Sequence, residues 1–110
     1  MSENPPLTEA TFFILLSLAD GPRHGYAILK EVEELSEGRV ALSTGTLYGA
    51  IKRLLDAGWI RRAAEEQGEN PRDRQAYNLT AQGRSILGGE VRRLESLVRL
   101  SRTRVARKEA

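Results

Sequence analysis

One histidine, His24, stands in a chain of 110 residues that has no cysteine. A transition-metal site draws on clustered His and Cys, and a Ser-His-Asp arrangement would have His24 as its only base, with no nucleophile elbow to go with it. Beside Gly25 at a helix start, His24 reads as a surface or capping residue. The acid pairs Glu33/Glu34 and Glu65/Glu66 more often mark solvated faces than catalytic dyads, and no phosphate-cradling glycine motif is present. The residue types therefore predict no enzyme, no metal and no cofactor. What they do offer is contact with a polyanion. The stretch "STGTLYGAIKRLLDAGW" at 43–59 carries Ser43, Thr44, Thr46, Tyr48, Lys52 and Arg53, with Gly45 and Gly49 among them.

The spacing gives these residues a common face. On a helix turning by about 100° per residue, Leu47, Ile51, Leu54 and Leu55 fall on one side, with Ala50 at its edge. Gly45, Thr46, Gly49, Lys52, Arg53 and Asp56 fall on the other. Tyr48 lies at the boundary, its ring near the core and its hydroxyl able to reach out. Each glycine costs a helix about 1 kcal/mol relative to alanine. A strip without side chains on the exposed face lets another molecule approach the helix axis, and the helix N-terminus offers free N–H groups to a phosphate. The plainer reading is a surface helix that tolerates two glycines.

That face needs elements to hold it. A first helix is predicted over Leu7–Ala19, with Thr8 as cap and apolar residues Phe12 to Leu18 pointing almost all round, as in a helix buried on more than one side. "DGPRH" at 20–24 is a turn. A second helix follows over His24–Ser36, with Ile28, Leu29, Val32 and Leu35 as its stripe and Gly38 as its stop. Ser43–Ala57 is the third, closed by Gly58. Trp59–Glu65 and Arg74–Thr80 read as strands of a hairpin, with Tyr77 and Leu79 facing in and Ala76 and Asn78 out. Trp59 reads as a core plug rather than a ligand platform. Ala81 to about Arg107 is a last helix, on which Leu87, Val91, Leu94 and Val98 step by four, three and four, close to a coiled-coil seam. Another chain is the natural cover for that stripe.

Three helices, a two-stranded wing and a long C-terminal helix make a mainly α protein on the plan of a winged helix-turn-helix. The division is 1–80 for DNA binding and 81–110 for dimerisation and a basic tail. In helix-turn-helix docking the second helix of the motif enters the major groove. Charge agrees locally. Residues 43–62 hold Lys52, Arg53, Arg61 and Arg62 against Asp56 alone, while residues 1–80 as a whole carry a net −3 and residues 81–110 a net +5. The acidic balance of residues 1–80 supports the alternative, a winged-helix protein–protein interaction module without DNA binding. The apolar run Phe12–Leu16 is too short to span a bilayer, residues 1–11 lack signal-peptide features, and the absence of cysteine suits a reducing cytoplasm.

On "HGYAILKEVEE" at 24–34, "LSTGTLYGAIKRLLDAGWI" at 42–60 and "RQAYNLTAQGRSIL" at 74–87, the sequence resembles the PadR family of transcriptional regulators over most of its length. The resemblance implies a homodimer, usually a repressor, on palindromic double-stranded DNA, often released by a small aromatic effector near the dimer interface. Carried over, Ser43, Thr44, Thr46, Tyr48, Lys52 and Arg53 face DNA along the Gly45/Gly49 strip, with Tyr48 as a phosphate contact. The dimer interface falls to Phe12, Leu16, Leu87, Val91, Leu94 and Val98. Three features depart from the family pattern. The wing tip is acidic at Glu65, Glu66 and Glu69, which leaves the wing contact to Arg72 and Arg74. Ala76 replaces a second aromatic. The C-terminal region is a single helix, as in the short branch of the family.

Overall fold

A computed structural model of the chain describes residues 5–63 and 75–109. Its elements are α1 (Glu9–Ser17), β1 (Arg23–His24), α2 (Gly25–Leu35), α3 (Thr44–Ala57), β2 (Ile60–Arg62), β3 (Ala76–Leu79) and α4 (Ala81–Glu109). The three strands form one antiparallel sheet in the order β1-β3-β2. This is the mainly α winged-helix arrangement with a long C-terminal helix.

The helix ends follow local chemistry. Thr8 caps α1, its hydroxyl accepting from the Thr11 N–H at 3.2 Å. Ser43 caps α3 in the same way, accepting from the Thr46 N–H at 3.1 Å. Gly58 closes α3 at φ +79°, with the Trp59 N–H donating to the Leu54 carbonyl at 3.0 Å, the six-to-one bond of a Schellman motif. The end of α2 departs from expectation. Gly38 is left-handed, but so is Glu37 (φ +54°), whose N–H donates to the Glu34 carbonyl at 3.1 Å while that of Gly38 donates to Glu33 at 2.8 Å. The left-handed capping position is therefore Glu37, where a side chain costs about 1 kcal/mol. Glu37→Gly should raise the unfolding free energy by roughly 0.5–1 kcal/mol in a urea melt.

Two sequence readings change in the sheet. "DGPRH" is a turn only to Pro22, because Arg23 and His24 pair with Tyr77 and Ala76 as β1. Two residues are too short to show alternation, and their partner is 52 or more positions away. Of the expected hairpin, β2 covers Ile60–Arg62 and β3 Ala76–Leu79, and positions 64, 65 and 74 of the expected strands lie outside the described residues. Ala76, expected to face out, is 5% exposed beside Tyr77 at 6%, so strict alternation fails at this end of β3, whose backbone is paired on both edges.

The core is built by Ile14, Leu15 and Leu18 of α1 and the loop after it, Ile28 and Val32 of α2, Leu47, Ile51 and Leu54 of α3, and Ile60, Leu79 and Leu87 beyond. Trp59 packs against it, half-buried, as a plug does. Leu35, expected in the α2 stripe, is 41% exposed. The buried residue at that helix end is Ser36, whose hydroxyl accepts from the Val40 N–H at 2.9 Å.

The start of α4 is pressed against the end of α3. The Thr80 hydroxyl donates to the Gly58 carbonyl at 2.6 Å and accepts from the Gly83 N–H at 3.0 Å. A Cβ on Gly83 would overlap the Trp59 carbonyl oxygen and stand 2.8 Å from its carbon. Both sides of that contact are backbone, so neither yields cheaply. Gly83→Ala should destabilise the fold by about 1–3 kcal/mol, overpacking outweighing the gain in helix propensity. A lowered thermal midpoint for this variant checks it.

Candidate nucleic-acid interface

The third helix presents the predicted face. Leu47, Ala50, Ile51 and Leu54 are buried, while Thr44, Gly45, Thr46, Lys52 and Arg53 are exposed. The buried arc is rotated slightly from the sequence reading. Ala50 is inside it and Leu55 only half-buried, because Ala50 is small enough to sit against a neighbouring element. Among the described residues, a Cβ on Gly45 would meet nothing within 4 Å, and one on Gly49 only the far end of Arg53, at 3.7 Å. Neither the packing of the described residues nor the backbone requires glycine there, since neither has a positive φ.

Charge on this face is available to a partner. Lys52 reaches Asp56 one turn on at 3.2 Å, with both side chains more than two-thirds exposed (78% and 68%). Such a pair is worth little in water, so a phosphate can displace the carboxylate. No ion pair of Arg53 occurs among the described residues. The Ser43 hydroxyl donates to that of Thr46 at 2.9 Å, so these two predicted contacts form one paired unit at the helix start. Thr44 stands beside them.

Tyr48 differs from its expected pose. It is half-buried, and its hydroxyl turns onto the first residue of α2, Gly25, rather than outward. His24, just before, holds the N-cap position of α2 without a capping bond from its ring. In the sequence Arg62 stands out only as part of the local charge. In the structure it joins Tyr48, Lys52, Asp56 and Tyr77 in lining a groove of about 330 Å³ between α3 and the strands. The only sequence signal was its place just beyond the α3 exit. Arg72 and Arg74, and the acidic Glu65, Glu66 and Glu69, lie outside the described residues.

The predicted dimer residues divide. Phe12 of α1 with Val91, Leu94 and Val98 of α4 line an open recess of about 680 Å³, rimmed by Glu95, Arg99 and Arg102. Leu87 is not on that face: at 6% exposure it belongs to the chain's own core, where α4 crosses α1 and β3. Leu16 is half-buried against the same core. Leu97 and Leu100, not singled out in the sequence, are 47% and 64% exposed and do not line that recess.

Above the recess a polar clasp fixes the chain before α1. Glu90, 7% exposed, accepts two bonds from Arg93 (2.8 and 2.7 Å) and one from the Leu7 N–H (3.2 Å). The Arg93 bonds, with help from Leu7, hold the Glu90 carboxyl below its ordinary value of 4.5 despite its burial. Among the described residues no group of three or more acids and histidines could hold a metal ion, and no helix is long and apolar enough to cross a membrane.

The model of the transcriptional regulator PadR-like family matches residues 14–88. An uncharacterised 37.1 kDa protein in transposon TN4556 of Streptomyces fradiae is 41% identical over 93 residues, covering 84% of this chain but only 24% of its own length. The chain thus spans about a quarter of that curated relative. A PadR family transcription regulator from Clostridium difficile R20291 superposes with a TM-score of 0.73 at 23% identity, over 89% of this chain and 99% of that one. PadR of Bacillus subtilis, solved in complex with operator DNA, does so with a TM-score of 0.67 at 25% identity, over 80% of this chain and 49% of that one.

Proposed function

The chain belongs to the PadR-like family of transcriptional regulators, and on that premise we propose that it is a homodimeric, sequence-specific DNA-binding repressor acting in the cytoplasm. The observation that carries the reading is the exposed face of α3, where Thr44, Thr46, Lys52 and Arg53 surround two positions that hold no side chain and need none to be absent. A helix with such a strip can lie deep in a major groove about 12 Å wide. Phosphates would be held by Lys52, by Arg62 across the groove from it, and by the α3 N-terminus beside Ser43. Arg72 and Arg74 would serve the wing.

In this reading residues 1–80 bind DNA and residues 81–110 dimerise, with Leu87 joining the two parts through the core. A second copy covers Phe12, Val91, Leu94 and Val98. Two-fold symmetry then sets half-sites one helical turn, or a multiple, apart. Relief by a small aromatic effector belongs to the same proposal.

The test is selection of bound sequences from a random DNA pool, followed by titration of the selected duplex at several salt concentrations. A palindromic consensus is expected, with affinity falling at a log–log slope of about −0.9 per neutralised phosphate. A chain that is monomeric by light scattering at micromolar concentration, or that selects no consensus at low salt, would sink the reading.

A further inference from the structure

We propose that Gly25 is a positioning residue for operator binding, acting as the seat that holds Tyr48 in place; this rests on the DNA-binding reading above. A Cβ built on Gly25 would overlap the Tyr48 hydroxyl and stand 2.9 Å from Cζ and 3.2 Å from Cε1. No side chain other than that of glycine fits under the ring as it lies. The backbone gives no separate reason for glycine. Gly21, Gly38 and Gly58 have positive φ, whereas Gly25 does not. As the buried first residue of α2, it occupies a conformation open to any residue, in a helix that alanine would favour.

The contact lies where three parts of the reading head meet. Tyr48 belongs to α3, one residue before Gly49 and one turn before Lys52. Gly25 begins α2, and the residue before it, His24, pairs with Ala76 of the central strand. Tyr77, next along that strand, lines the same groove as Tyr48, Lys52 and Arg62. Seating the phenol on Gly25 therefore fixes the roll of α3 about its axis relative to α2 and to the base of the wing. Any side chain at position 25 drives the ring outward, toward the face that Lys52 and Arg53 present. Leu47 and Ile51, fully or almost fully buried, anchor α3 in the core, and Tyr48 packs against the edge of that core.

The two roles are separated by a double-mutant cycle on the full chain with its selected duplex. Gly25→Ala is expected to weaken binding at least tenfold. Tyr48→Leu removes the hydroxyl, Cζ and Cε1 together, so in that background Gly25→Ala should cost nothing further. In the free protein, the Tyr48 ring resonances should shift in Gly25→Ala. Should Gly25→Ala alone fail to fold, recovery of folding in the Gly25→Ala/Tyr48→Leu pair supports the same seat. Additive losses across the cycle, or Tyr48 resonances unmoved by Gly25→Ala, overturn the proposal while leaving the DNA-binding reading intact. A parent chain that binds no duplex overturns both.

Discussion

Replacing Lys52 and Arg53 together by glutamate should abolish specific operator binding, weakening it by about 10²–10⁴-fold, while leaving the fold and the dimer unchanged. Both side chains point away from the core, and neither contributes an ion pair that the fold requires. The Lys52–Asp56 pair is exposed at both ends and stabilises α3 only slightly. On DNA each residue has a different role to lose. A phosphate contact from Lys52 would carry a salt slope of about 0.9, and a base contact from Arg53 would carry discrimination at one position. Glutamate also places negative charge against the phosphates, so reversal costs more than truncation. Two measurements settle it: duplex titration against salt, and circular dichroism melting of the free variant. Binding that survives the reversal would turn the chain toward the protein-interaction alternative that the acidic balance of residues 1–80 first suggested.

The parts of the fold that sequence reveals are those set by neighbours along the chain. Thr8, Ser43 and Gly58 act as caps because a side-chain oxygen or a left-handed glycine solves a local problem of unpaired backbone groups. The stripes of α2 and α3 show for the same reason, apart from their edges. What stays hidden depends on distant partners. β1 exists only because β3 lies beside it, and nothing in "RH" announces that. Leu87 steps in register with Val91, Leu94 and Val98, but one end of a helical stripe is covered by the chain itself and the other is open. Periodicity describes the face of a helix and does not say what covers it.

The candidate site divides along the same line. Lys52, Arg53 and the two glycines were legible, because one helix and its turn angle place them all. Tyr48 was legible as a boundary residue with its ring near the core, but not its place over Gly25, which belongs to another helix; Arg62 was not, because it meets α3 only across the groove. Gly83 was visible in the run "YNLTAQG" as a letter of a motif, yet its physical reason is the Trp59 carbonyl on a segment more than twenty residues earlier. Glycine is the clearest case in which sequence shows the residue and only structure shows the cause. Gly58 answers to backbone geometry, Gly25 and Gly83 to a neighbour's atoms, and Gly45 and Gly49 to nothing among the described residues.

That last contrast makes Gly49→Leu the sharpest test of the interface. Among the described residues a Cβ at position 49 meets only the flexible tip of Arg53 at 3.7 Å, so the free protein has room for a side chain to begin there. Its higher helix propensity should hold stability level or raise it by up to about 0.8 kcal/mol. On DNA the outcome reverses. The added side chain stands on the strip where α3 would meet the groove floor, and it holds the helix off every contact at once. Affinity should fall by roughly 10²-fold or more, as loss of one or two good base contacts would produce. Gly49→Ala should fall between the parent and leucine. A thermal melt and a duplex titration on the same preparations separate the two effects, since a folding defect would lower both. If Gly49→Leu binds as tightly as the parent, α3 does not approach DNA along this strip, and the glycines are only tolerated.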